Sequence, residues 1–200
     1  MSNSTRNNVN SGIIKMVMTA MISAIVIAMS FIPYVGYIRY SPLSLEITTL
    51  HIVVIIGAII LGPWRGAIIG GVWGITSLIY AVVYPSVASP AFLNPLVSVF
   101  PRIVVGLIAG LCFRGMMKLF SDDFVPSAII AATAGTLTNT TLVLTFYFLF
   151  SNVFNVGEIL TNIIGTIIGV NGVIEIVAAI VLIPALGYPL FKYVRKHGGV

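Results

Sequence analysis

Residues 13–32 read IIKMVMTAMISAIVIAMSFI, twenty residues carrying one charge, Lys15, and closed by Pro33. A helix rises about 1.5 Å per residue and a bilayer's hydrocarbon core is about 30 Å thick, so a run of this length and character predicts a membrane-spanning helix. The residues before it, Met1 to Gly12, are polar and show no small-residue cleavage site after a short apolar run. They are expected to form a cytoplasmic tail, not a signal peptide.

Working outward from that run, the same character recurs along the whole chain. Spans are predicted over Ile47 to Leu61, Gly66 to Tyr84, Val99 to Phe120, Pro126 to Phe150 and Glu158 to about Tyr193. The punctuation between them is polar or conformationally special. It comprises the aromatic stretch from Tyr34 to Glu46, Gly62-Pro63-Trp64-Arg65-Gly66, the Pro/Ser/Asn connection from Pro85 to Ser98, Ser121-Asp122-Asp123, and Ser151-Asn152. The expectation is an all-α integral membrane protein of six transmembrane helices, with a single membrane domain over 13–193 and short tails at 1–12 and 194–200. Among the 200 residues, 58% are hydrophobic and only 8% charged, with a mean hydropathy of +1.11. An average soluble domain is roughly 25% charged, so this composition excludes one.

Charge orients the bundle. Arg6, Lys15, Arg65, Arg114, Lys118, Lys192, Arg195 and Lys196 fall on one side of a six-span arrangement, and Arg39 and Arg102 on the other. Positive residues are retained in the cytoplasm, so both termini are predicted there. Trp73, Tyr34, Tyr37, Tyr40 and Tyr84 fit in part an aromatic belt at the external boundary. The net charge of +5 is spread over these connections and not gathered on a face, which argues against nucleic acid.

Several chemistries lack their residues. There is no G-x-x-x-x-G-K-[ST] run for nucleotide phosphates, no H-E-x-x-H and no G-x-S-x-G elbow. The lone Cys112 precludes an internal disulfide. Glu46, Glu158 and Glu175 are the acids in or beside spans, and none is paired in sequence at catalytic spacing. No cofactor is expected, and a membrane enzyme is poorly supported.

What remains is a set of polar groups inside apolar segments, where they are costly and point to function. His51 lies one turn into the second span and reads either as a packed hydrogen-bonder or as a ligand contact. Asn139 falls at mid-depth in the fifth span; Asn171 and Glu175, four apart, share a face of the sixth. These could serve a ligand or bond helix to helix. Arg102 stands in the first turn of the fourth span, on the side poor in positive charge. It reads either as an arginine reaching the interface or as an anion anchor, its planar fork matching a carboxylate or phosphate. Arg39 is a second candidate for that task.

Small residues repeat at intervals of four: Ala20, Ala24 and Ala28 in the first span, Gly66, Gly70 and Gly74 in the third, Gly106 and Gly110 in the fourth, Gly165 and Gly169 in the sixth. Each set allows close approach of another helix. The glycine sets read as internal crossings. The alanine set fits either an internal crossing or a partner.

The size, the six spans with both ends inside, the long aromatic first connection and the Ala20-x-x-x-Ala24-x-x-x-Ala28 stripe together resemble the substrate-binding S components of energy-coupling-factor vitamin transporters. The stretches Leu50 to Pro63, Pro101 to Leu107 and Leu137 to Thr140 resemble the branch that takes up pantothenate, and pyridoxine or hydroxymethylpyrimidine members are similar. The resemblance implies a subunit that captures a small vitamin outside and releases it inside. Its partners would be a membrane coupling subunit docked on Ala20, Ala24 and Ala28 and two cytoplasmic ATPases. Arg102 would grip the vitamin's carboxylate, with Asn94, Asn139 and Asn171 on its amide and hydroxyl groups and Tyr37, Arg39, His51 and Glu175 nearby. A stand-alone channel or exporter is the reading of a different class.

Overall fold

The structure, a computed structural model, describes residues 3–38, 46–85, 89–150 and 158–197. They form helices α1 (Asn3–Phe31), α2 (Leu50–Leu61), α3 (Pro63–Val83), α4 (Ser89–Phe92), α5 (Pro95–Ser98), α6 (Phe100–Leu119), α7 (Phe124–Phe150) and α8 (Glu158–His197). Two short strands, β1 (Tyr37–Ile38) and β2 (Ile47–Thr48), pair antiparallel with Tyr37 opposite Thr48.

Five stretches are long and apolar enough to cross a membrane: Gly12–Phe31, Pro63–Val83, Pro95–Leu119, Phe124–Phe150 and Gly169–Lys196. The predicted second span differs. Only Leu50–Leu61 is helical, and twelve residues rise about 18 Å, too little for the hydrocarbon core. Residues 46–49 lie outside the helix, with Ile47 and Thr48 as strand. The two strand residues add about 7 Å, so strand and helix in series come to about 25 Å, close to the length a single helix over Ile47 to Leu61 was expected to supply. Extended backbone at membrane depth is tolerated only where its polar groups are satisfied inside the protein. Here they are: β1 pairs with β2, Thr49 N donates to Gly36 O at 3.0 Å, and Thr48 N donates to Glu175 Oε1 at 2.8 Å.

This short helix is the centre of the bundle. Every residue of α2 but Val53 is buried, and its aliphatic side chains pack with Ile69 and Trp73 of α3, Val105 and Ala109 of α6, Ala128 and Ala132 of α7, and Ala179 and Ile183 of α8. It ends at Gly62, whose φ of +95° an L side chain rarely adopts and whose N–H closes the last turn on Ala58 O at 2.9 Å. Pro63 then occupies the first turn of α3, where its missing N–H is harmless.

Around α2 the outer helices meet by backbone contact. An added Cβ at Gly66 would strike Ala58 of α2 and the Gly106 carbonyl, one at Gly70 the Arg102 carbonyl, one at Gly74 Val99 Cα at 2.6 Å, and one at Gly110 Pro63 Cα at 2.6 Å. The expected internal crossing therefore holds for α3 and α6. It does not hold at Gly169, where a Cβ would meet nothing within 4 Å among the described residues; the close approach on α8 is one turn later, where a Cβ added at Gly172 would lie 2.8 Å from Thr140 Cγ2 of α7. Helix α1 joins α3 through Ser30 Oγ, which donates to Val26 O and lies 3.0 Å from Thr76 Oγ1. Phe113, Phe124, Tyr188 and Phe191 form an edge-to-face cluster tying α6, α7 and α8 at the end nearer the chain's termini.

Other boundaries shift too. The polar residues from Asn3 onward continue α1 as helix, and α8 runs to His197. The connection from Pro85 to Ser98 contains the one-turn helices α4 and α5. Trp73, expected at an interfacial belt, is fully buried.

Candidate ligand-binding site

A cavity with room for the centres of water-sized molecules over about 110 Å³ opens among the ends of α3, α6 and the β-strands. Six structural units line it. The strands supply Tyr37, Glu46 and Thr48; α3 supplies Ser77, Tyr80 and Ala81, with Tyr84 just beyond its end; α4 supplies Ser89 and Phe92; α6 supplies Arg102; α7 and α8 supply Asn139, Thr140, Val143, Asn171 and Glu175.

Arg102 is positioned by a run of local geometry. Asn94 caps α5 by accepting from Leu96 N at 3.0 Å, with Pro95 next in line. This fixes the one-turn helix whose Val97 carbonyl then accepts from Arg102 Nη1 at 2.6 Å. The guanidinium carbon lies 5.1 Å from the Trp73 ring centroid and 5.4 Å from that of Phe92, within reach of a cation–π attraction. Arg102 is only 5% exposed, so it does not reach for the interface. Its Nε is buried with no hydrogen-bond partner among the described residues, and the side chain lines the cavity.

The amide of Asn139 is similarly placed, 6% exposed with Oδ1 unpartnered among the described residues. Asn171 and Glu175 share one face of α8, as their spacing requires, and both are buried at the cavity wall. Glu175 holds the base of β2 through Thr48 N. Tyr37 OH lies 2.7 Å from Ser77 Oγ, and its ring stacks on Tyr80 with centroids 4.4 Å apart, which in turn packs on Tyr84 at 4.9 Å. Burial pushes the Tyr37 phenol above its ordinary pKa, against the opposing pull of its Ser77 hydrogen bond. It thus stays a neutral hydroxyl. Tyr80 OH donates to Glu46 Oε1 at 3.2 Å.

The structure thus brings Arg102, Asn139, Asn171, Glu175 and Tyr37 together and leaves two candidates out. Asn94 spends its side chain on the α5 cap, and it is absent from the cavity wall. His51 is fully buried behind the wall, with neither ring nitrogen partnered among the described residues. Arg39 and Tyr40 lie outside the described residues. Ser77, Tyr80, Ala81 and Tyr84 were not singled out from sequence as cavity residues, although their i, i+3, i+4, i+7 spacing places them on one helix face.

On α1, Ala20, Ala24 and Ala28 are all exposed, while Met18, Ile22, Val26 and Met29 on the opposite side meet the core. The stripe therefore faces away from the described core.

The family described as "ECF transporter, substrate-specific component" matches residues 14–187. A pantothenate transporter PanT of Leuconostoc mesenteroides subsp. mesenteroides is 33% identical over 195 residues, covering 92% of this chain and 95% of that protein. A pantothenic acid transporter PanT of Lactococcus lactis subsp. cremoris is 32% identical over 190 residues, covering 88% and 92%. A bundle of apolar helices, a small polar cavity at one end and a family match over most of the chain agree: this multi-pass plasma-membrane protein belongs to the substrate-specific components of ECF transporters.

Proposed function

We propose that this subunit binds pantothenate, with the vitamin's carboxylate on Arg102. The observation that carries the reading is a buried arginine at a cavity wall whose Nε lacks a partner among the described residues. An unpaired buried charge is unfavourable by several kcal/mol, and a ligand carboxylate would remove that penalty. Pantothenate also carries an amide and two hydroxyls, which Asn139 and Asn171 can serve. Both relatives reported above are named for this vitamin.

In this reading the chain crosses the membrane six times, the strand–helix segment 46–61 counting as one crossing. Its termini are cytoplasmic and its cavity faces outward. Consistent with that orientation, the cationic connections gather at the opposite end, where Arg114 reaches Gly62 and Arg195 lies 3.9 Å from Asp122. The exposed alanine stripe of α1 is the docking face for a membrane coupling subunit, which works with two ATPases because this chain has no nucleotide motif of its own.

Titration calorimetry on purified protein tests the ligand. Losing one member of a buried charge pair costs about 2–5 kcal/mol, so Arg102→Ala should weaken pantothenate binding at least about 30-fold. Arg102→Lys should recover only part, lacking the bidentate fork. Equal wild-type affinity for pantothenate and its uncharged alcohol analogue would reject the assignment and favour a neutral vitamin such as pyridoxine.

A further inference from the structure

Two aromatic rings attend the Arg102 guanidinium, and they come from different kinds of place. Trp73, its centroid 5.1 Å from the guanidinium carbon, is fully buried in α3 and belongs to the core. Phe92, at 5.4 Å, is half-buried on the one-turn helix α4 and lines the cavity. The segment that carries Phe92 also carries the Val97 carbonyl that accepts from Arg102 Nη1. Short-range bonds close this segment on itself: Leu93 N donates to Ser89 O at 3.0 Å, Asn94 N to Ala91 O at 3.2 Å, and Val97 N to Asn94 O at 2.9 Å. Residues 89–98 thus form one small unit that meets the arginine twice, through a ring and through a carbonyl. Neither group is charged, so neither neutralises the guanidinium; both restrict where its fork can lie.

Resting on the pantothenate reading, we propose that Phe92 is a positioning residue for the ligand's carboxylate: its ring keeps the Arg102 fork in place before the ligand arrives, and so sets the preference for the acid over a neutral analogue. An arginine side chain is rich in rotamers, and ordering it at the moment of binding costs affinity. A guanidinium already stacked on aromatic faces is ordered beforehand. The ring also fills space from which water would otherwise solvate the cation, and a charge pair is stronger where water is kept out. Both effects act only on a ligand that pairs with the guanidinium. A ligand without the carboxylate gains nothing from either, which separates this role from plain packing of Phe92 against ligand or bundle. Trp73 acts in the same sense from the core, but truncating it would leave a cavity there. Phe92 is the ring that can be changed alone.

The test measures, by titration calorimetry on full-length purified protein, affinity for pantothenate and for its uncharged alcohol analogue. Phe92→Leu keeps apolar bulk and removes the ring face. It should weaken pantothenate about 3- to 10-fold and leave the alcohol within about two-fold of wild type. Phe92→Tyr keeps the face and should hold both ligands within about two-fold. In an Arg102→Ala background, Phe92→Leu should cause no further loss for the acid, because the group it positions is gone. Equal losses for acid and alcohol in Phe92→Leu, or no loss for either, overturn the proposal. An additive loss in the double variant overturns it too. Should Phe92→Leu fail to fold, Phe92→Met carries the same comparison. A wild type that binds the acid no better than the alcohol removes the pantothenate reading instead, and this inference with it.

Discussion

Helices α1 and α3 both carry a small residue at every fourth position, Ala20–Ala24–Ala28 in one and Gly66–Gly70–Gly74 in the other, and the bundle uses them in opposite directions. The glycines of α3 touch backbone: Gly106 and Arg102 of α6 pass so close that no Cβ fits. The alanines of α1 lie exposed, on the side of the helix away from the described core. Close backbone approach is valuable in a membrane because lipid removes the hydrophobic drive between helices and leaves dispersion to hold them. A small-residue stripe that faces away from the described core therefore offers the same adhesive geometry to a helix from elsewhere. The comparison teaches that spacing marks a face as approachable, and packing decides who approaches.

The largest expected effect comes from filling the inner face. Gly70→Val would drive a β-branched side chain into the Arg102 carbonyl, a backbone atom that cannot swing aside. Overpacking costs typically 1–3 kcal/mol even where side chains can adjust, so we expect loss of at least about 3 kcal/mol and no monodisperse protein on size-exclusion chromatography. A well-folded Gly70→Val with wild-type thermal midpoint would mean that α3 and α6 are further apart than described here.

Filling the outer face should separate binding from transport. Ala24→Trp is expected to leave pantothenate affinity within about two-fold of wild type, while uptake in cells and co-purification with the coupling subunit fall to background. Loss of binding in the isolated variant would place this face inside the protein and dissolve the contrast with α3.

Helix α8 carries both kinds of position and sharpens the rule at smaller scale. A Cβ at Gly172 would meet Thr140 Cγ2 at 2.8 Å and Oγ1 at 2.9 Å, but these are side-chain atoms that can rotate. Gly172→Ala should cost about 1–2 kcal/mol and weaken ligand binding modestly, since Thr140 lines the cavity. Gly169→Ala meets open space among the described residues. Its thermal midpoint should equal or slightly exceed wild type, because alanine is favoured over glycine in a helix by up to about 1 kcal/mol. A drop at Gly169 as large as at Gly172 would show that closeness of approach alone does not govern the cost.

Much of the site was legible before any coordinates. Arg102 stood out because a charge in the first turn of an apolar helix needs a reason, and Asn139, Asn171 and Glu175 stood out for the same reason. Asn94 accepts from Leu96 N in the structure, and a capping asparagine and a ligand-binding asparagine look alike in sequence. His51 is buried outside the cavity lining, and burial beside a cavity and burial in its wall have the same hydropathy. Tyr37 and Tyr84 were assigned to a membrane boundary, yet both line the cavity, each with its ring against Tyr80.

By itself the sequence determined that this protein lives in a membrane, where its apolar segments begin and end, and which polar groups would be costly enough there to need a use. These follow from transfer free energy, a property of each residue and its near neighbours along the chain. The tertiary structure alone decided that 46–61 enters as strand before it becomes helix, that Arg102 and Glu175 face one cavity without pairing, and that the alanine stripe of α1 points outward. Each of these depends on partners distant in the chain: Glu175 lies 127 positions from Thr48, and Thr76 lies 46 from Ser30. Hydropathy specifies that a face must be covered or a polar group satisfied. Which distant segment meets that requirement is settled only when all the segments compete for the same contacts.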